Sequence, residues 1–304
     1  MLEVAIMLEG QNGLTWPRWQ KIVRLVEELG FVGLYRSDHF TNTNPPDKES
    51  LELWVSLTWL ACNTSRIEFG PLVTPFSFRH PALTARMASA VDDLSNGRLT
   101  LGLGAGWQER EHQHYGFDLL DISSRFDRFD EGLQVVTRFL KNDSPVSFSG
   151  KYYDLHEATM LPRPLRSGGP RILIGGNGHT RTPSLAARYA DEWNGVFITP
   201  EKFKELNTNL DLYLKQENRD PKSVQRSMMT GCIFAATASE LQQKIRTREK
   251  TLEQLHEQGI VAGSPSAVKE QLQGLESSGV QRVMLQWLDL DDLAGLEALA
   301  KAVL

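Results

Sequence analysis

Val4-Ala5-Ile6-Met7-Leu8 is a short apolar run, and a loop leads from it to Thr15 and then to Trp19, Ile22, Val23, Val26 and Leu29, closed by Gly30 and followed by Val32-Gly33-Leu34-Tyr35. The spacing of those five apolar residues puts them on one face of a helix, with Thr15 available as its cap and Gly30 as its stop. Strand, helix and strand in this order make a unit in which the helix carries the chain back so that the strands lie parallel.

The same unit recurs along the chain. The strand at 32–35 is followed by a polar loop with Pro45 and Pro46 and a helix over about 50–63. Strand 67–73 precedes a helix over about 81–94, and strand 99–103 precedes a Gly-rich loop and a helix over 124–140. The rhythm breaks over 145–169. There Val146-Ser147-Phe148-Ser149-Gly150-Lys151-Tyr152-Tyr153 reads as a hairpin turning at Gly150, and prolines follow at 162 and 164. It resumes with strands at 172–174, 193–198, 228–236 and 282–287, separated by helices over 182–190, 200–216, 239–258 and 266–277. Eight such units in 304 residues predict an α/β fold, a (β/α)8 TIM barrel occupying residues 1–304 as one domain, with 145–169 inserted between strands 4 and 5 as a lid or a packing arm.

Composition narrows the function classes. Hydrophobic residues make up 40% and charged residues 23%, which is enough apolar material for a core and excludes a disordered chain. The net charge of −5 argues against a grip on nucleic acid, which needs a basic face. The N-terminus lacks the basic start and apolar run of a signal peptide, and no segment reaches the ~18 apolar residues of a membrane span, so a cytoplasmic location is expected. Cys62 and Cys232 lie far apart in apolar surroundings, which offers neither a disulfide framework nor a cysteine zinc site.

In such a barrel the carboxyl ends of all strands meet at one mouth, and chemistry is expected on the loops that follow them. Strand 1 ends in Glu9, strand 2 in Ser37-Asp38-His39, strand 3 in Val73-Thr74-Pro75, strand 4 in Gly104-Ala105-Gly106-Trp107, and strand 5 in Gly175-Gly176-Asn177-Gly178-His179-Thr180. A carboxylate beside an imidazole can set its tautomer and tune it for acid/base work, so Asp38 and His39 are catalytic candidates; the pair reads equally as a turn cap and an ordinary loop residue. The run 175–180 offers free N–H groups and a hydroxyl at a helix start, a phosphate site or a plain glycine turn. Gly104 and Gly106 let backbone approach a flat ring, with Trp107 as a wall or as core; the glycine spacing does not match the dinucleotide fingerprint. Glu109, Glu111, His112, His114 and Asp118 read as a solvated helix start, since histidines two apart on a helix diverge, and no metal site is expected.

Several longer motifs are specific only in combination. Glu27-Glu28-Leu29-Gly30-Phe31 leads to Arg36-Ser37-Asp38-His39; Thr64-Ser65-Arg66-Ile67 and Thr74-Pro75 precede Phe78-Arg79-His80-Pro81. Leu94-Ser95-Asn96-Gly97-Arg98 leads into Gly102-Leu103-Gly104-Ala105-Gly106-Trp107, and Ile174-Gly175-Gly176-Asn177-Gly178 into Ala186-Ala187-Arg188-Tyr189-Ala190-Asp191. Nearly end to end, the chain resembles the luciferase-like monooxygenase superfamily and, within it, the coenzyme F420-dependent oxidoreductase branch.

The resemblance implies a deazaflavin or flavin at the barrel mouth. Its ring would lie near Asp38, Leu72, Val73, Thr74, Gly104, Ala105 and Gly106, and its phosphate on Gly175, Gly176, Asn177, Gly178, His179 and Thr180. A bulge or nonprolyl cis bond after strand 3 backs the ring in relatives, and Pro71-Leu72-Val73 is the matching stretch. Hydride transfer between F420 and a small organic substrate is the implied reaction, with His39 as general acid or base, Asp38 orienting it, and Glu9, Phe40, Trp107 and Phe197 lining the substrate pocket. An FMN-dependent monooxygenase using O2 and a non-catalytic flavin or F420 binder are the alternatives. A homodimer is implied as well. Glucose-6-phosphate dehydrogenases of the superfamily carry Glu directly after the Gly-x-Gly of strand 4, where this chain has Trp107, which argues against a sugar-phosphate substrate.

Overall fold

The computed structural model describes residues 1–304. The first four units run β1 (Glu3–Leu8), α1 (Trp16–Leu29), β2 (Gly33–Arg36), α2 (Leu53–Asn63), β3 (Glu68–Pro71), β4 (Thr74–Pro75), α3 (Pro81–Leu94), β5 (Thr100–Gly104), α4 (Glu109–Tyr115) and α5 (Ile122–Lys141). A hairpin follows, β6 (Val146–Ser149) and β7 (Asp154–Ala158). The second half contains β8 (Arg171–Gly175), α6 (Arg181–Tyr189), β9 (Glu192–Val196), α7 (Pro200–Gln216), β10 (Gln225–Phe234), α8 (Ala238–Arg246), α9 (Leu252–Glu257), β11 (Val261–Gly263), α10 (Pro265–Ser277), β12 (Arg282–Gln286) and α11 (Leu293–Val303).

The parallel strands run in the order β3-β2-β1-β12-β10-β9-β8-β5-β4. β3 and β4 are two halves of one strand, separated by Leu72–Val73, whose peptide bond is cis. β3 pairs with β2 and β4 pairs with β5, so this split strand closes the ring. The Phe69 N–H also donates to Arg98 O at 3.2 Å across the seam. The result is the (β/α)8 barrel.

Strand alternation divides the core in two. Val4, Ile6 and Leu8 point outward and pack with Trp19, Ile22, Val23 and Val26 of α1 in a shell of 62 buried residues between sheet and helices. Each fully buried Leu or Ile there contributes about 1.5–3 kcal/mol. The interior is narrow and is filled by Ala5, Met7, Tyr35, Leu72, Leu173, Met229 and Met284. Below them, at the amino ends of the strands, Arg282 is 2% exposed and its guanidinium lies 2.7 Å from Glu3 and from Glu68 and 3.7 Å from Glu192. It also donates to the Tyr35 hydroxyl at 2.8 Å. Burial works against its charge, but Tyr35, Glu192, Glu68 and Glu3 together outweigh that cost and hold it above its ordinary range. At the carboxyl ends the interior opens into a hollow.

Local details depart from the sequence reading in identifiable ways. Thr15 occupies the cap position of α1 but makes no side-chain capping bond; Pro17 in the first turn removes one of the N–H groups that would need it. The helix expected over 239–258 is two helices, because Glu249 takes a left-handed φ of 53° and Thr251 and Gln254 form a capping box that starts α9 afresh. β11, three residues pairing with β10, adds a strand outside the ring. The hairpin turns over four residues, with Gly150 N–H donating to Tyr153 O at 2.9 Å, so Lys151 to Tyr153 belong to the turn and not to the second strand.

Residues of the segment 145–169 pack on α5. Glu131 of α5 accepts from Lys151 N–H at 2.9 Å and Tyr152 N–H at 2.8 Å, and no residue of the segment lines the hollow. The polar run 109–118 is solvated only in part: Glu109, His114 and Asp118 are exposed, but Glu111 and His112 of α4 are buried. No helix is long and apolar enough to cross a membrane.

Candidate active site

The hollow at the carboxyl ends has a volume of about 630 Å³. Every loop expected to carry chemistry reaches it. Of the residues singled out from sequence, Glu9, His39, Leu72, Val73, Gly104, Ala105, Gly106, Trp107, Gly175, Gly176, Asn177, Gly178 and Phe197 line it.

His39 is held by a residue 72 positions away. Its Nδ1 lies 2.8 Å from Oε1 of Glu111, whose Oε2 accepts from Phe40 N–H at 3.0 Å. Glu111 is 1% and His39 18% exposed. Burial opposes the charge on His39, but the hydrogen bond and charge of Glu111, with Glu9 and Asp38 beyond, outweigh it and hold the imidazole above its ordinary range. For Glu111, burial pushes the other way from the His39 contact, which prevails and keeps the carboxyl below its ordinary range. With Nδ1 engaged, Nε2 is the ring nitrogen left without a protein partner. Trp107 stands edge-on to the ring at 5.6 Å and is 59% exposed at the mouth.

Asp38 does not orient His39. Its Oδ2 accepts from Thr74 Oγ1 at 2.6 Å and from Arg79, which also donates to Glu52 at 2.9 Å. Consecutive residues in extended backbone face opposite ways, so the adjacency that suggested a pair instead sends Asp38 behind the wall and His39 onto it. Thr74 is likewise behind the wall. Phe40 lies outside the lining, packed against Phe78, Tyr115 and Phe117. His179 and Thr180 also lie outside it: His179 is at the surface beside Lys202, and Thr180 is the N-cap residue of α6. Asn177 is tied into the barrel, donating to Val196 O at 2.7 Å and accepting from Val196 N–H at 2.9 Å, so only its backbone and the flanking glycines face the hollow freely.

Two contributors escaped the sequence reading. Glu111 sat in a run that looked solvated. Asn194, fully buried on β9 and facing the hollow, donates to Ser227 Oγ at 2.9 Å, while its Oδ1 has no partner. A polar residue inside the apolar run Trp193-Asn194-Gly195-Val196 was its available signal.

A family model described as luciferase-like monooxygenase matches residues 3–252. The chain belongs to that family. Among the luciferase-like relatives, an F420-dependent glucose-6-phosphate dehydrogenase of Kineococcus radiotolerans is 32% identical over 181 residues, 59% of this chain and 51% of that protein, so the match spans about half the relative's length. A 5,10-methylenetetrahydromethanopterin reductase of Archaeoglobus fulgidus is 28% identical over 266 residues, covering 86% of this chain and 71% of the reductase. The structure of an F420-dependent secondary alcohol dehydrogenase in complex with an F420-acetone adduct superposes with a TM-score of 0.87 at 15% identity, covering 99% of this chain and 98% of that one. At that identity the likeness speaks for the luciferase-like barrel alone.

Proposed function

We propose that this chain is a coenzyme F420-dependent oxidoreductase that moves a hydride between the deazaflavin and a small organic substrate. The observation that carries the reading is the His39–Glu111 pair set on the wall of a hollow whose opposite surfaces are bare backbone. Relatives that use F420 support the choice of cofactor.

The residues present suit a flat tricyclic ring. A Cβ added at Gly104 would stand 2.6 Å from Val73 Cγ2, so β5 lies flush with the Leu72–Val73 wall because it carries no side chain there. The hollow's volume of about 630 Å³ is within the ~300–1,000 Å³ of ligand sites. The orphaned Asn194 Oδ1 offers a buried acceptor to an N–H or O–H donor, and leaving it empty costs about 1–3 kcal/mol. Thr180 makes no side-chain cap on α6, so the first N–H groups of that helix are available to a phosphate reaching out from the 175–178 turn.

When bound, F420 would supply the carbon that accepts or gives the hydride. Leu72 and Val73 would back the ring, and Gly104 to Gly106 and Gly175 to Gly178 would admit it. His39, protonated through Glu111, would give a proton from Nε2 to a substrate carbonyl oxygen as the substrate's own carbon is reduced, or take the proton from the alcohol in the reverse direction. Glu111 would hold Nδ1–H and balance the imidazolium charge. Trp107, Phe197 and Glu9 would bound the substrate; Asp38 and Thr74 would act from behind by holding Arg79.

Separate titrations with F420 and FMN test the cofactor, and F420 is expected to bind and FMN not to. His39→Ala should lower turnover by about 10²- to 10⁴-fold with little loss of F420 affinity. Unchanged turnover would remove His39 from the mechanism.

A further inference from the structure

The charged side chains on the lining of the hollow are Glu9, His39 and Glu111, and no lysine or arginine is among them. His39 and Glu111 neutralise one another at 2.8 Å. That leaves the carboxylate of Glu9 without a salt-bridge partner; the nearest positive charges are His39, already paired, and Arg36 behind the wall, which Asp38 and Glu52 also draw on. Its Oε1 accepts from Gln286 Nε2 and its Oε2 from Gln11 Nε2, each at 2.7 Å, and both donors are neutral amides. Gln11 is itself fixed, since Ser37 Oγ donates to its carbonyl at 2.7 Å and Ser37 accepts from Gly10 N–H at 2.9 Å. The guanidinium of Arg36, behind this layer, donates instead to Ser37 O, Ser56 Oγ and Leu51 O.

A carboxylate offers about four acceptor positions, and the two amides occupy two of them. The remaining positions belong to a fixed negative charge, with no cation in contact, beside a proton-transferring histidine. A ligand anion placed there would meet repulsion with no cation on the lining to bind it, whereas an ammonium group would gain a charge-assisted hydrogen bond. Trp107 and Phe197 on the same lining tolerate a cation against aromatic carbon, whereas Phe126 already carries Arg181 over its ring at 5.3 Å.

We infer that Glu9 makes this hollow select alcohols or ketones that carry a cationic nitrogen a few atoms from the reacting carbon. The inference rests on the proposed function only in taking the hollow as the substrate site.

Three secondary alcohols of similar size but different charge test it: 4-aminobutan-2-ol, pentan-2-ol and 3-hydroxybutanoate. Their dissociation constants are measured by calorimetry at fixed ionic strength, with the full chain alone and with F420 added. The amino alcohol should bind about ten- to a hundredfold more tightly than pentan-2-ol, and 3-hydroxybutanoate most weakly. Glu9→Gln should erase that advantage, with pentan-2-ol measured on the same variant as the neutral reference. Equal binding of the amino alcohol and pentan-2-ol by the wild-type protein, tighter binding of the anion, or a preference that survives in Glu9→Gln would each overturn the inference. If F420 fails to bind while the Glu9-dependent preference persists, the inference stands and the F420 reading falls.

Discussion

Replacing Gly175 with Ala separates the packing of the barrel from the packing of its ligand. Gly175 ends β8 on the face that Leu173 turns to the interior, and a methyl group built there stands 3.4 Å from Val73 Cγ1 and 4.0 Å from Asn194 O. Those are ordinary contact distances. Unlike Gly176, which has a φ of 135°, Gly175 does not need the left-handed region. The folded protein should accept the methyl, and the reduced freedom of the unfolded chain would contribute about 0.4–1 kcal/mol in its favour. Stability is therefore expected within about 1 kcal/mol of the parent. The same methyl intrudes on the space assigned to the ring, where overpacking costs about 1–3 kcal/mol, or roughly 5- to 150-fold in affinity.

The assay pairs denaturant unfolding with an F420 titration followed by deazaflavin fluorescence. Gly102→Ala is the contrasting control: its Cβ would lie 2.1 Å from the Pro71 carbonyl oxygen, which is backbone and cannot swing away, so it should destabilise by about 3 kcal/mol or more. A stable Gly175→Ala protein that binds F420 as tightly as the parent would refute the placement of the ring. A variant that loses more than about 2 kcal/mol of stability would refute the packing argument.

Three further outcomes follow from the charges and burial. His39 is held above its ordinary value of 6.5, so its stabilising contribution is complete below that pH and disappears as pH rises through the folded value; Glu111, held below 4.5, contributes above that pH and loses it on acidification. Glu111→Gln should flatten this profile, reduce stability near pH 6 by about 1–3 kcal/mol and move the His39 titration seen by NMR to lower pH; an unmoved titration would contradict the pairing. Burial pushes the Cys232 thiol up to about 12, whereas Cys62 is exposed, so a thiol reagent at pH 8 should label Cys62 alone in the native protein, as mass spectrometry would show. Arg282→Met leaves the buried Glu192 and the partly exposed Glu68 without their cation and should cost about 3–5 kcal/mol in urea unfolding; a loss under about 1 kcal/mol would show the cluster to be dispensable.

The barrel was legible because each unit carries its own local signals, such as the five apolar positions of α1 and the left-handed Gly30 that ends it. The mouth followed from the barrel, which is why so many loop residues fall on one hollow. What sequence could not supply is contact across the mouth. Glu111 belongs to α4, which follows β5, and His39 to the loop after β2, and no spacing rule connects them. Asp38 misled for a local reason, since neighbours in extended backbone diverge. Glu249 breaks the helix in a left-handed conformation that is usually marked by glycine, and the one available signal for the restart was the Thr251-x-x-Gln254 spacing of a capping box. Asn194 became visible only when its orphaned oxygen could be counted.

The split third strand has a consequence for any attempt to redesign this protein. At the join with β5 a Cβ on Gly70 would fall 1.9 Å from Thr100 O, much as one on Gly102 would fall on Pro71 O, so main chain rests directly on main chain. Mutational libraries should spare this join. Trp107 and Phe197, which are 59% and 38% exposed on loops at the opening, are the natural places to randomise, because new specificities can be screened there while the scaffold beneath stays the same.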